Sequence, residues 1–426
     1  GDSATAERNY QALADLGYPD ASLKLADLQV RSGDPAALIR AEALYRQAAQ
    51  SSAQGRVPLG KWLAAKPGAS DAERYEAEQL LTQALNEGDG NLLLPLLQLY
   101  LQYPQNWPST SPQQRVDRWR AQGFAQAPLA QVALYRAQGS IAQHLDEIER
   151  TCRQALAQMD LCWVELASVY QLQGATQKQQ DHLQRLGDAY RAGRLPAERV
   201  QSVAEVLADP SLGTPDPKAA QALLDTLTPR YPAAWIALAK LQYGYPELGD
   251  VEQLLGYLKQ GHDAAPSRAE LLLGRLYYDG RWLPRDPQEA ERHLLAATAG
   301  EPQAHYYLGQ IYRRGYLGKV YPQKAVDHLI VAARAGNAHA DLALAQLWSQ
   351  GRGIKPNPGF AYVFARIAQG NQLPDATPLL AQLQTQLSPA ARQQAETLLG
   401  RELGSRGAPL AAAPGRPPTT QEALSP

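Results

Sequence analysis

Ala269-x-x-x-Leu273-Gly274-x-Leu276-Tyr277-x-x-Gly280 recurs as Ala304-x-x-x-Leu308-Gly309-x-Ile311-Tyr312-x-x-Gly315, and again as Ala340-x-x-x-Leu344-Ala345-x-Leu347-Trp348-x-x-Gly351. The opening alanines stand 35 and then 36 residues apart. Within each copy, slots 0, 4, 5, 7 and 8 share one face of a helix, and the glycine falls where a helix stops. A helical pattern repeating at this period predicts a solenoid of helical hairpins. One hairpin cannot bury its own apolar faces, so neighbours must stack.

The residue types fit that stacking. Small residues at Ala269, Gly274, Ala304, Gly309, Ala340 and Ala345 let helix backbones approach closely. Leu276/Tyr277, Ile311/Tyr312 and Leu347/Trp348 fill the space between layers, which assigns Tyr277, Tyr312 and Trp348 to the core. A second helix opens at Asp286-Pro287, Tyr321-Pro322 and Asn357-Pro358. Asp or Asn before Pro is N-cap and N1 chemistry, whereas Tyr321 makes a poor cap. That helix carries Ala296-Ala297, Ala332-Ala333 and Ala365 to Ala368, ending near Gly300, Gly336 and Gly370.

The pattern A-x-x-x-L-G-x-x-Y-x-x-G, a turn, D-P-x-x-A, then A-A-x-x-G resembles the Sel1-like repeat, a relative of the tetratricopeptide repeat. The resemblance is strong over 269–370 and weaker elsewhere. It implies an all-α, right-handed superhelical solenoid of about ten helix-turn-helix repeats.

The rest of the chain is organised around this block. It has 426 residues, a formal net charge of −1 and 45% hydrophobic residues, with three Phe and one Met. That length exceeds one ordinary globular core, and a one-dimensional array resolves the tension by growing without a larger centre. The near-zero balance argues against a nucleic-acid surface. No apolar run reaches the roughly 18 residues of a membrane span. The chain opens on Gly1 with no signal peptide before it, which reads as processing.

Ala21–Leu28 and Ala41–Ala49 restate the first and second helices, and Leu59–Leu63, Ala77–Gly88 and Leu96–Tyr100 continue the series. Residues 1–102 thus read as N-terminal tetratricopeptide-like repeats. The Pro-rich stretch 103–115, which holds YPQNWPSTSPQQ, interrupts a helix and is expected to project as a long loop. Residues 116–268 read as irregular repeats, with a second break at Asp209–Pro217 that marks either an irregular turn or a bend. Residues 269–403 carry the Sel1-like repeats and capping helices. Residues 404–426, rich in Gly, Pro and Ala without a periodic apolar face, read as a disordered tail.

Cys152 and Cys162 flank an expected turn. Antiparallel packing would let them form a disulfide in an oxidising compartment, and two small buried thiols are the alternative. No phosphate-binding loop, zinc-protease helix or nucleophile elbow is present, so no catalytic residue, cofactor site or metal site is assigned. His293 and His328 occupy equivalent repeat slots, where stacked surface histidines are a better reading than a metal site. The functional signal lies in the turns. Tyr278, Trp282 and Arg285 share one inter-helix segment, and Arg313, Arg314, Tyr316 and Tyr321 fall at the next. Tyr, Trp and Arg dominate protein interfaces. Packing between neighbouring turns is the alternative.

The chain as a whole resembles the alginate-biosynthesis outer-membrane lipoproteins of Gram-negative bacteria. The resemblance is carried by Ala21–Ala49, the YPQNWP stretch at 103–108, the block closing at Gly370 and the Pro-rich tail. It implies a non-catalytic scaffold at the periplasmic face of the outer membrane, anchored by an N-terminal lipid on a cysteine that this chain lacks near Gly1. The partners it implies are the outer-membrane alginate porin, the periplasmic alginate acetyltransferase AlgX and other secretion-complex proteins. A cytosolic Sel1/tetratricopeptide adaptor and a polysaccharide-binding solenoid stand as alternatives.

Overall fold

A computed structural model describes residues 3–32, 35–66, 68–157, 159–351 and 353–406. Among the described residues there are 23 α-helices, six short 3-10 helices and no strand. The chain divides into two compact units at 155/156.

The first unit contains α1 (Ser3–Asp15), α2 (Pro19–Ser32), α3 (Pro35–Ser51), α4 (Arg56–Ala65), α5 (Asp71–Asn86), α6 (Leu93–Gln102), α7 (Pro112–Ala121), α8 (Ala127–Ala137) and α9 (Leu145–Ala155). Helices α2 and α3 pack as one hairpin, α4 and α5 as the next, and α6 lies against α8. Local chemistry sets the starts. Ser70 and Glu73 close a capping box at α5, and Ser111 and Gln114 close another at α7, where Pro112 takes N1.

The Pro-rich stretch does not project. Tyr103 and Asn106 are buried, and Trp107 sets its ring edge-on to Tyr75 and Tyr100 at 5.5 and 5.1 Å. The Tyr75 hydroxyl donates to the Asn106 carbonyl at 2.9 Å, and the Arg74 guanidinium lies 3.9 Å over the Tyr103 ring. The prolines do forbid a helix through this segment. Its aromatics nevertheless carry enough apolar surface to hold it against α5 and α6.

The second unit runs through α10 (Leu161–Leu172), α11 (Thr176–Arg191), α12 (Ala197–Leu207), α13 (Pro217–Leu227), α14 (Ala234–Gly244), α15 (Val251–Gly261), α16 (Pro266–Asp279) and α17 (Pro287–Ala297). It continues with α18 (Gln303–Arg314), α19 (Pro322–Arg334), α20 (Ala338–Gln350), α21 (Pro358–Gly370), α22 (Ala376–Gln386) and α23 (Pro389–Ser405). The break at Asp209–Pro217 is a turn capped at both ends. Asp209 accepts from the Ser211 amide and Asp216 from the Ala219 amide.

The three copies form the hairpins α16/α17, α18/α19 and α20/α21. Ala269, Ala304 and Ala340 are fully buried, as are Leu276 and Ile311. A Cβ placed on Gly274 would meet the Leu294 Cγ at 2.6 Å, and one on Gly309 would meet the Leu329 Cγ at 2.6 Å. These glycines are therefore what lets the two helices of each hairpin touch. Tyr312 is buried, while Tyr277 and Trp348 are half-buried and pack against the same core.

The C-terminal helix ends later than composition suggests. Helix α23 runs to Ser405, and Arg406 then reaches back to α20. Its guanidinium takes Asp341 in two hydrogen bonds, at 3.0 and 2.5 Å, and also donates to the Ala333 carbonyl. Glu402 pairs with both Arg406 and Arg334. Residues 404–406 thus belong to the packed array. The remainder of the expected tail, 407–426, lies outside the described residues.

Candidate protein-binding surface

The turns after α16 and α18 are built alike. Gly280 and Gly315 end their helices in the left-handed region, both at φ 70°, which an L side chain adopts only with strain. Each loop then returns to its helix. The Asp286 amide donates to the Tyr277 carbonyl at 3.1 Å, and the Tyr321 amide to the Tyr312 carbonyl at 3.0 Å. The third copy repeats the tie from Asn357 to Trp348 at 2.9 Å. Asp286 and Asn357 cap the following helices through their side chains, and Tyr321 makes no such bond.

Four of the seven turn residues converge. Tyr278, at the end of α16, sets its ring edge-on to Tyr307 at 5.3 Å and lies 6.0 Å from Tyr316. The Arg285 guanidinium lies 4.0 Å over the Tyr316 ring. Arg314 donates from Nη1 to the Tyr316 hydroxyl at 3.0 Å. Arg285 and Arg314 are exposed, and the two tyrosines are half-buried. Burial pushes the Tyr278 hydroxyl well above its ordinary value. Burial raises Tyr316 too, but hydrogen bonds and charge from Arg314 and Arg285 outweigh it and hold that hydroxyl below the ordinary tyrosine value.

The other three go elsewhere. Trp282 donates its Nε1–H to the Tyr243 carbonyl at 3.4 Å and packs on the preceding repeat. Arg313 points along the array, donating to Gln346 at 2.8 Å and Gln310 at 3.1 Å. Tyr321 sets its ring edge-on to Tyr312 at 5.9 Å, with Lys319 and Lys324 close to its ring.

The cluster also includes residues the sequence reading passed over. Tyr307 carries the strip from Tyr278 to Tyr306, and Tyr306 approaches His339. Arg275 lies over Tyr243 and, at 5.4 Å, over Tyr307. All of these fill slots that the repeat template leaves free, so an aromatic or arginine in such a slot was the available signal.

The equivalent histidines do not stack on one another. His293 faces the Tyr277 ring of its own hairpin at 5.7 Å, and His328 faces Tyr312 at 5.5 Å. His293 is also bonded to Glu270 at 2.6 Å, and His328 to His305 at 2.9 Å. Glu270 and His305 share one slot, directly after the repeat alanine, so both copies tie the same two positions with different chemistry. Among the described residues no group of three or more His, Cys, Asp or Glu is arranged to hold a metal ion. Cys152 on α9 and Cys162 on α10 are both buried. Among the described residues no helix is long and apolar enough to cross a membrane.

Comparison with known proteins gives one consistent picture. Residues 144–228 match the family model described as the AlgK tetratricopeptide repeat domain. The chain is 65% identical to the alginate biosynthesis protein AlgK of Pseudomonas aeruginosa over 407 residues, covering 96% of this chain and 86% of that relative. It is 55% identical to AlgK of Pseudomonas syringae pv. tomato over 96% of this chain and 87% of the relative. For AlgK of Azotobacter vinelandii the identity is 49%, over 95% and 89%.

Proposed function

The chain belongs to the AlgK family of alginate biosynthesis proteins, and on that footing we propose that it is a non-catalytic scaffold for alginate secretion. Its repeats bind the outer-membrane alginate porin and periplasmic modification proteins such as the acetyltransferase AlgX, holding them in one complex. The observation that carries this reading is the arginine–tyrosine cluster at Tyr278, Arg285, Arg314 and Tyr316. It joins the turns of two adjacent repeats, leaves Arg285 and Arg314 exposed, and has the composition of a protein-binding hot spot. A repeat array offers rigid, regularly spaced surfaces of this kind.

Replacing Tyr278, Trp282 and Arg314 together with alanine is expected to weaken capture of the porin and the acetyltransferase from envelope extracts. The thermal melt serves as the folding control, because Trp282 is also anchored to Tyr243. Undiminished capture by the folded triple variant would rule out this surface.

The proposed location is the periplasmic face of the outer membrane, held by an N-terminal lipid. With it goes a disulfide between Cys152 and Cys162, since that compartment is oxidising. Protein isolated from its own compartment and denatured without reductant should then show no reactive thiol. Two reactive thiols would contradict the pairing.

A further inference from the structure

We propose that Arg285 and Arg314, set around the side chain of Tyr316, form a receptor for a carboxylate carried on an acidic segment of a protein partner. The inference deepens the docking reading above and rests on it.

Three observations lead there. First, Arg285 and Arg314 are exposed residues, and among the described residues neither has a carboxylate partner. Arginines nearby behave differently, since Arg292 pairs with Glu289 and Arg268 with Glu301. Second, both cations address one tyrosine, Arg314 through its hydroxyl and Arg285 over its ring. A carboxylate entering there would accept from guanidinium forks and from the phenol, which is charge-assisted, directional recognition. Third, the frame is fixed before any ligand arrives. Both turns are tied back to their helices at Tyr277 and Tyr312, and Tyr278 is wedged against Tyr307. Binding at such a site costs little ordering.

The geometry favours a side-chain carboxylate over a sugar acid. Arg285 covers a face of Tyr316, and Tyr278 meets Tyr307 edge-on. These rings therefore do not present a flat platform for a pyranose. Both cations engage the same tyrosine, which matches one acidic side chain flanked by apolar neighbours that rest on the tyrosines.

The test uses the full chain labelled with 3-fluorotyrosine, the Tyr316 resonance being the one missing from Tyr316→Phe. The probes are a blocked peptide alternating Glu and Leu, its Gln counterpart, and an oligomannuronate. The Glu peptide is expected to shift the Tyr316 resonance saturably, and the Gln peptide to leave it in place. The double variant Arg285→Gln, Arg314→Gln should bind the Glu peptide at least about tenfold more weakly. Equal response to the Glu and Gln peptides, or wild-type affinity in the double variant, would overturn the receptor. A response to the oligomannuronate alone would overturn the assignment to a protein segment. Should the double variant melt early, Arg285→Lys with Arg314→Lys keeps the charge and removes the forks. About threefold weaker binding is then expected, and unchanged binding counts against the site. If peptide binding is lost while the double variant still captures its partners, only this receptor fails; retained capture by the triple variant above is what removes the docking surface.

Discussion

His182 shows how a single buried side chain ties this fold to pH. It sits between α10 and α11 with Nε2 2.8 Å from the Trp163 carbonyl, its ring stacked on Trp163 and edge-on to Tyr170. Burial pushes its pKa down from 6.5 to about 4, against the Trp163 carbonyl, which favours the charged ring, and with help from Arg185. The folded state therefore binds fewer protons than the unfolded chain between those two values. Stability from this group is complete above about pH 6.5 and is lost as pH falls toward about 4, by on the order of 3 kcal/mol. Burial lowers His305 and His328 as well, so they act with the same sign. Urea midpoints measured from pH 7 down to pH 4 should fall, and His182→Phe should flatten the curve. A midpoint that does not move with pH in that window would contradict the buried neutral ring.

At the scale of the hairpin, Gly309 decides how closely α18 and α19 approach. A Cβ there would lie 2.6 Å from the Leu329 Cγ and 2.7 Å from its Cδ2, and Leu329 is fully buried. Alanine would gain about 1 kcal/mol of helix propensity, while overpacking costs about 1–3 kcal/mol. Gly309→Ala should therefore destabilise the chain by about 1 kcal/mol, read as a lower urea midpoint. A rise in midpoint would show that the helices separate freely. The hairpins themselves were legible from the local pattern, because the alanine slots, the left-handed glycines and the Asp-Pro or Asn-Pro starts are all set by neighbours in sequence. What lay beyond the sequence is set at long range. Trp282 finds its acceptor at Tyr243, Arg313 finds Gln346, and Arg406 finds Asp341. The proline stretch after Tyr103 is likewise held by Tyr75 and Tyr100. No periodicity reports such pairings, so a turn residue that packs and one that faces a partner read alike until the fold is known.

At the scale of the molecule, stacking takes up most of what the repeats conserve in pattern. Alanines, glycines and the large slots hold layer to layer, and each added repeat brings a new turn at little cost to its neighbours. The turns are thereby freer to vary than the helices, and among the described residues Arg285, Tyr316 and Arg314 gather at the turns after α16 and α18. The two regular turns with the cluster are accordingly where the proposed docking is to be tested. The most direct measurement is the affinity of the purified full chain for the purified periplasmic acetyltransferase, compared between wild type and Tyr278→Ala/Trp282→Ala/Arg314→Ala at matched thermal melts. The account predicts a loss of at least about tenfold, as truncating interface anchors of this type commonly produces. Equal affinity of the two proteins would contradict it.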